Sequence, residues 1–171
     1  MARQAANDRS APGLFDDTEE PLAATSHRRL IVEADGGARG NPGPAAYGAV
    51  LRDAQTSELL AAEGLPIGRA TNNVAEYRGL IAGLEMAREL DPTAALEVRM
   101  DSRLVIEQMA GRWKVKHADM KVLALEANRL RPATVTWTWI PRELNKAADA
   151  LVNRALDGDP VPRQYMVDRP G

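Results

Sequence analysis

Apolar runs and turn formers divide this chain into a regular succession of short elements. Arg29 to Ala34 is an apolar run that predicts a strand, and Ala45 to Arg52 predicts a second, joined by a loop rich in glycine and proline. Glu58 to Glu63 predicts a third, with Asp53 to Ser57 as the hairpin connection, so the first three strands read as an antiparallel meander. The period then changes. Tyr77, Leu80, Ile81, Leu84, Ala87 and Leu90 fall at helical spacing between Asn73 and Leu90, and Pro92 stops the run. Gly79 and Gly83, one turn apart, would let this helix sit close on a sheet. Leu96 to Met100 predicts a fourth strand, with a helix from Ser102 to Ala110 leaving it. Ala118 to Leu130 predicts another helix, with Met120, Leu123, Ala127 and Leu130 facing inward. Val135 to Trp139 predicts the fifth strand, and Glu143 to Leu156 a last helix with Leu144, Ala148, Leu151, Val152 and Ala155 inward. The succession is that of an α/β protein in which helices cover a mixed five-stranded sheet.

The two ends lack such patterning. Met1 to His27 mixes Ala, Ser and Pro with the acidic residues Asp16, Asp17, Glu19 and Glu20, and reads as a disordered extension. Its Leu14-Phe15 pair is a weak docking point for a partner, although an unstructured tail is the simpler reading. Beyond Asp157, Pro160, Pro162 and Pro170 predict a trailing tail. The organisation expected is therefore an extension over 1–27, one folded domain over 28–157 and a tail over 158–171.

Composition narrows the chemistry. The 44% of hydrophobic residues in 171 is ample for a single core. The absence of cysteine excludes disulfides and thiolate metal sites, so any metal would have oxygen ligands. A net charge of -2 gives no overall basic field, and a nucleic-acid partner would need a local patch. No apolar run reaches spanning length and no secretory signal opens the chain, so a cytoplasmic protein without a membrane partner is expected.

Four acidic residues stand out. Asp35 closes the first strand ahead of Gly36-Gly37, where bare backbone can approach a ligand, and Asp101 closes the fourth. Glu76 opens the long helix and Asp149 lies inside the last. If strands one and four are parallel neighbours, both aspartates reach the same sheet edge, where open α/β sheets place their sites. Singly, each has a structural reading: Asp35 as a turn former, Asp101-Ser102 as a helix cap, Glu76 as a first-turn acid. Asp149 is harder to read so, because Asp is a poor mid-helix residue. Together they form a set that repels itself unless a cation intervenes, and Mg²⁺ suits a cluster of oxygens without His or Cys. Two such ions flanking a phosphodiester activate water on one side and stabilise the leaving oxygen on the other. Phosphodiester hydrolysis is the reaction suggested.

The segments DGGARGNPGPAAYG, ATNNVAEYRGL, VRMDSRLVIEQMAGRW and IPRELNKAADALVNRAL, in this order, resemble ribonuclease H, type 1, over about Arg29 to Leu156. The resemblance implies a 3-2-1-4-5 sheet with its second strand antiparallel. It implies metal-dependent endonucleolytic cleavage of the RNA strand of an RNA/DNA hybrid, leaving 5'-phosphate and 3'-hydroxyl ends, with two Mg²⁺ or Mn²⁺ ions in the site. By position, Asp35, Glu76, Asp101 and Asp149 match the metal-binding carboxylates. Asn41, Thr71, Asn72 and Asn73 match substrate-contacting residues, though Asn72-Asn73 also read as a helix cap. Gly36, Gly37 and Ala38 would offer backbone to the RNA strand, since small residues and amides can sense 2'-hydroxyls in a shallow minor groove. Arg69 and Thr71 would meet a phosphate of the DNA strand.

Two departures from the family pattern matter. The loop before the last helix, Ile140 to Asn145, lacks the histidine that many members carry, and Arg142 stands as its substitute or as a surface charge beside Glu143. A guanidinium steadies a phosphate but does not shuttle protons near neutrality. The segment GRWKVKH is also too short for the basic handle of some relatives. Trp113, Lys114 and Lys116, with Arg112 and His117, form a reduced grip, unless Trp113 packs on the helix that follows. Trp137 and Trp139 share a face of the fifth strand and read as core. Nothing in the motifs requires more than a monomer. The rival readings are a hybrid-binding module without catalysis and a DNA nuclease of the same fold.

Overall fold

The computed structural model describes residues 28–168, so the expected N-terminal extension, Leu14-Phe15 included, lies outside the described residues. Strands β1 (Arg29–Ala38), β2 (Gly43–Asp53) and β3 (Leu59–Ala70) form the meander. Strand β4 (Ala95–Met100) runs parallel to β1, and β5 (Val135–Trp139) runs parallel to β4. Among the described residues the order is β5-β4-β1-β2-β3-β6, six strands where five were expected.

The extra strand, β6 (Val161–Tyr165), corrects the expected tail. It pairs antiparallel with β3 through Ala61↔Tyr165, Ala62↔Gln164 and Gly64↔Val161, and its proline is tolerable because the strand is an edge. Two other strands outrun their expected ends. β1 continues through the glycines, with Gly36 and Gly37 paired to Tyr47 and Ala46, so Asp35 lies within the strand opposite Gly48. β3 continues to Ala70 despite Pro66 and Gly68, a register shift beside Ala45 and a φ of 78° at Gly68 absorbing the break.

Helices α1 (Asn72–Leu90), α2 (Arg103–Met109) and α3 (Ala118–Leu130) contribute to the main core, while α4 (Lys146–Leu156) packs with a separate set. Alternation along β2 serves both: Tyr47, Ala49 and Leu51 enter the main core, Ala46 and Val50 the smaller clusters with Val152 and Leu151. Fully burying each large apolar side chain contributes about 1.5–3 kcal/mol, and α1 alone buries Tyr77, Leu80, Leu84, Met86 and Leu90. Small residues set the spacing. A Cβ at Gly79 would lie 2.5 Å from the Asp35 carbonyl oxygen, and one at Gly83 2.4 Å from Val32 Cγ1. The close seat expected of this helix is therefore present.

Two inward assignments fail. Leu144 is 66% exposed, because a 3-10 turn (Arg142–Leu144) interrupts the chain and α4 begins only at Lys146. Trp137 packs against the main core, but Trp139 is 39% exposed at the sheet edge, with the Arg103 guanidinium 4.3 Å from its ring centroid.

Candidate active site

Asp35, Glu76, Asp101 and Asp149 line one open cleft of about 460 Å³, together with Gly36, Gly37, Ala38, Arg39, Asn72 and Arg142. Parallel pairing of β1 and β4 brings the two aspartates to the same end of the sheet. Glu76 follows because α1 is seated hard on β1: a Cβ at Gly36 would fall 2.2 Å from the Ala75 carbonyl carbon. It stands just past the first turn of α1, so the first-turn reading of Glu76 is displaced by one residue. Asp149 occupies the first turn of α4, not its middle, which removes the propensity objection to it.

Each carboxylate is held by a neutral donor. The Gly36 amide donates to Asp35 Oδ1 (2.9 Å), Ser102 Oγ to Glu76 Oε1 (2.9 Å), Asn145 Nδ2 to Asp101 Oδ1 (3.2 Å) and Asn153 Nδ2 to Asp149 Oδ2 (3.4 Å). Among the described residues none of the four makes a salt bridge. Burial pushes Asp35 up to about 8, reinforced by the charges of Asp101, Asp149 and Glu76 and opposed by the Gly36 amide. Burial likewise pushes Glu76 up to about 7, with Ser102 opposing and Asp101 adding to the rise. Among the described residues no three acids or histidines are closed into a coordination shell as they stand. The donor set nonetheless suits a hard divalent cation: carboxylate oxygens only, mutually repelling, and among the described residues in no salt bridge, although Arg39 and Arg142 line the same cleft.

The other expected residues divide between two places. Asn72 belongs to the carboxylate cleft, where its Oδ1 accepts the Ala38 amide (2.8 Å) while its own amide donates to Asn41 Oδ1 (3.0 Å). Both side-chain oxygens are thereby occupied, and each NH₂ remains as a donor. The Gly36 and Ala38 amides are likewise engaged within the protein, which leaves less free backbone than the sequence reading expects. Helix capping is done by Thr71, whose Oγ1 accepts the Val74 amide at 3.3 Å, and not by Asn72 or Asn73. Arg142 lies in the carboxylate cleft, whereas Arg69, exposed and opposite Pro44 on β3, lines neither cleft.

Asn73 lines a second cleft of about 550 Å³ with Trp113, Lys114, Lys116 and His117. Trp113 is 47% exposed, so it is not packed away on α3. Arg112 is tied to Glu107 and is less available than the two lysines. The loop is anchored through buried groups: Tyr77 Oη donates to Gln108 Oε1 (2.6 Å), and Gln108 Nε2 donates to the Lys114 carbonyl (3.1 Å).

Ser102 and Asn145 also support the site, the first expected only as part of a helix cap and the second not expected there at all. Ser102 caps α2 by accepting the Val105 amide and also donates to Glu76, and only the first function has a sequence signal. Asn145 directly precedes a helix and would be taken for a cap; its partners, Ala34 and Asp101, are too remote in sequence for any local pattern to reveal.

A family profile described as reverse transcriptase-like matches residues 33–155. The chain is 55% identical over 131 residues to a bifunctional protein of Mycobacterium tuberculosis, covering 75% of this chain and 36% of that one. It is 45% identical over 131 residues to ribonuclease HI of Halobacterium salinarum, covering 75% and 65%. The chain thus spans about a third to two thirds of the length of these relatives. Among solved structures, the N-terminal ribonuclease H domain of the M. tuberculosis protein superposes with a TM-score of 0.74 at 53% identity, covering 77% of this chain and 96% of that one. LC11-RNase H1 in complex with an RNA/DNA hybrid superposes with a TM-score of 0.72 at 41% identity, covering 75% and 97%.

Proposed function

The chain belongs to the ribonuclease H family, and on that premise we propose that it hydrolyses the RNA strand of RNA/DNA hybrids endonucleolytically. The carrying observation is the convergence of Asp35, Glu76, Asp101 and Asp149 on one cleft, each held by a neutral donor and, among the described residues, none in a salt bridge. In the reaction the oxygen of water joins phosphorus, the bond from phosphorus to the 3'-oxygen breaks, and that oxygen takes a proton. The products are a 5'-phosphate and a 3'-hydroxyl.

The four carboxylates would hold two Mg²⁺ or Mn²⁺ ions, which when bound neutralise the cluster and supply Lewis-acid stabilisation at the phosphate. The protein's other groups bind and orient. Asn41 and Asn72, with their oxygens fixed internally, turn NH₂ donors to the ribose side of the minor groove, where a 2'-hydroxyl distinguishes RNA from DNA. Arg142 steadies a phosphate at the carboxylate cleft. Thr71 and Arg69 stand near the start of α1 for a phosphate of the DNA strand, and Trp113, Lys114 and Lys116 grip that strand beyond Asn73. This supplies the local patch that a chain of net charge -2 needs. The same reading has the protein acting as a monomer in the cytoplasm. Its described residues include no helix long and apolar enough to cross a membrane.

The test is cleavage of a labelled RNA/DNA hybrid beside matched RNA/RNA and DNA/DNA duplexes, with Mg²⁺, Mn²⁺ or chelator, for the parent and Asp35→Asn. Metal-dependent cutting of the RNA strand of the hybrid alone, lost in Asp35→Asn, is expected. A hybrid that is bound but cut with neither ion would overturn the reading in favour of a binding module.

A further inference from the structure

We propose that Asn145 is a positioning residue for the carboxylate cleft, fixing Asp101 against the end of β1 so that the site is set before a divalent ion arrives. The inference rests on the hydrolase reading above.

Asn145 occupies the N-cap position of α4, where asparagine is favoured because its side chain accepts an amide of the first turn. Here it accepts none, and the residue sits at φ -115°, ψ 34°. Its side chain is instead fully buried, with Nδ2 donating to the Ala34 carbonyl (2.9 Å) and to Asp101 Oδ1 (3.2 Å). Two acceptors facing one end of the amide assign that end as the NH₂ group, since a flipped amide would set oxygen against oxygen.

Asn145 Oδ1 is buried with no hydrogen-bond partner. The side chain thus forgoes the cap and leaves an oxygen unsatisfied, both unfavourable, to keep its two protons on β1 and Asp101. A staple that merely docked α4 on the sheet would need only the Ala34 bond. The backbone of the same residue accepts the Asp149 amide at 3.1 Å, and Ala34 adjoins Asp35. One residue therefore ties together the supports of Asp35, Asp101 and Asp149. Groups that orient a ligand from outside the coordination shell change metal affinity by about 10–100-fold when removed.

The test uses the full chain and compares the parent with Asn145→Ala, Asn145→Ser, Asp101→Asn and the Asn145→Ala/Asp101→Asn double variant. Val161→Ala, a buried position on β6 outside both clefts, serves as a control for lost stability. Mn²⁺ and Mg²⁺ affinity is measured by calorimetry at a temperature where every variant is folded, and hybrid affinity is measured in chelator. We expect Asn145→Ala to weaken metal binding about tenfold or more while hybrid affinity in chelator stays within about twofold and Val161→Ala leaves metal binding unchanged. In the Asp101→Asn background the loss should shrink towards nothing. Parent-like metal affinity in Asn145→Ala overturns the inference, as does an undiminished loss without Asp101. If Asn145→Ala does not fold, Asn145→Ser decides on the same criteria. A parent that binds no divalent ion and cuts no hybrid overturns the hydrolase reading itself, a result distinct from either.

Discussion

Asn72 and Asn73 are consecutive residues of α1 yet line different clefts, Asn72 that of the carboxylates and Asn73 that of Trp113, Lys114 and Lys116. The start of α1 is therefore the ridge between them. On the proposed function, a hybrid laid over this ridge would present its RNA strand to one side and its DNA strand to the other. Replacing Lys114 and Lys116 with alanine should weaken hybrid binding by roughly tenfold, lower the slope of log affinity against log salt by about 1 to 2, and leave turnover at saturation within about twofold. A salt titration of binding checks this, and an unchanged slope would remove the basic cleft from the interface.

Without a metal, the carboxylate cleft should be a burden on the fold. Asp35 rises from 3.8 to about 8 and Glu76 from 4.5 to about 7, so the folded protein binds these protons more tightly than the unfolded chain. Between the unfolded and folded values the native state carries more protons, and stability falls as pH rises. Glu97 and Glu107 are shifted the other way, so their contribution is complete above their ordinary range. In chelator the melting temperature should therefore decline between about pH 5.5 and pH 8, and divalent ions should restore it at the upper end. Asp35→Asn should be more stable than the parent by roughly 1–3 kcal/mol at pH 8 in chelator, though inactive. Melts showing the chelated parent gaining stability over that range would refute the electrostatic account.

The sheet meander, the long helix, α3, β5 and the four carboxylates were legible in sequence because each rests on local periodicity or on a motif within one segment. The extension of β1 through Gly36 and Gly37 was not, since glycine and proline ordinarily mark a turn, and here pairing with β2 overrides that preference. The strand β6 was hidden for a related reason. Pro160 and Pro162 argue for a tail, while what orders the segment is pairing with β3 and an arginine whose partners lie 74 to 100 residues away. The hydrogen bonds of Asn145, Asn41 and Asn72 were equally out of reach. Side-chain amides that could cap a turn look the same in sequence as amides that hold a distant carboxylate or backbone group.

Seating α1 on β1 at Gly83 gives a prediction about coupling. Gly83→Ala places a methyl 2.4 Å from Cγ1 of fully buried Val32 and should cost about 1–3 kcal/mol by overpacking. Val32→Ala alone should cost roughly 2 kcal/mol by leaving a cavity. In the double variant the new methyl enters the space vacated, so the combined cost should be smaller than the sum by about 1 kcal/mol or more. Denaturant unfolding of the four proteins measures this. Strict additivity would mean that the helix does not rest on Val32.

Arg163 holds β6 to the body of the protein, and its removal should be felt through Glu63. The guanidinium bridges Glu63 on β3 (3.0 Å) with Glu85 (2.7 Å) and Glu89 (3.1 Å) on α1, while Tyr47 Oη donates to Glu63 at 2.8 Å. Burial alone would lower the Arg163 pKa, but hydrogen bonds to Glu85 and Glu63 outweigh it and keep the side chain charged. Glu63 is 5% exposed, so deleting its cation leaves a buried carboxylate facing two further acids. Arg163→Ala should cost about 2–4 kcal/mol, close to the range for breaking a buried pair. Loss of β6 would also bare the edge of β3, a template for pairing with another chain, so the variant should self-associate on warming. Glu63→Gln added to Arg163→Ala should recover part of the stability, because the stranded charge is gone. Since none of these residues lines either cleft, hybrid cleavage at low temperature should remain close to the parent rate. Denaturant unfolding with light scattering tests both parts, and an Arg163→Ala protein of parental stability would show that β6 is held by backbone pairing alone.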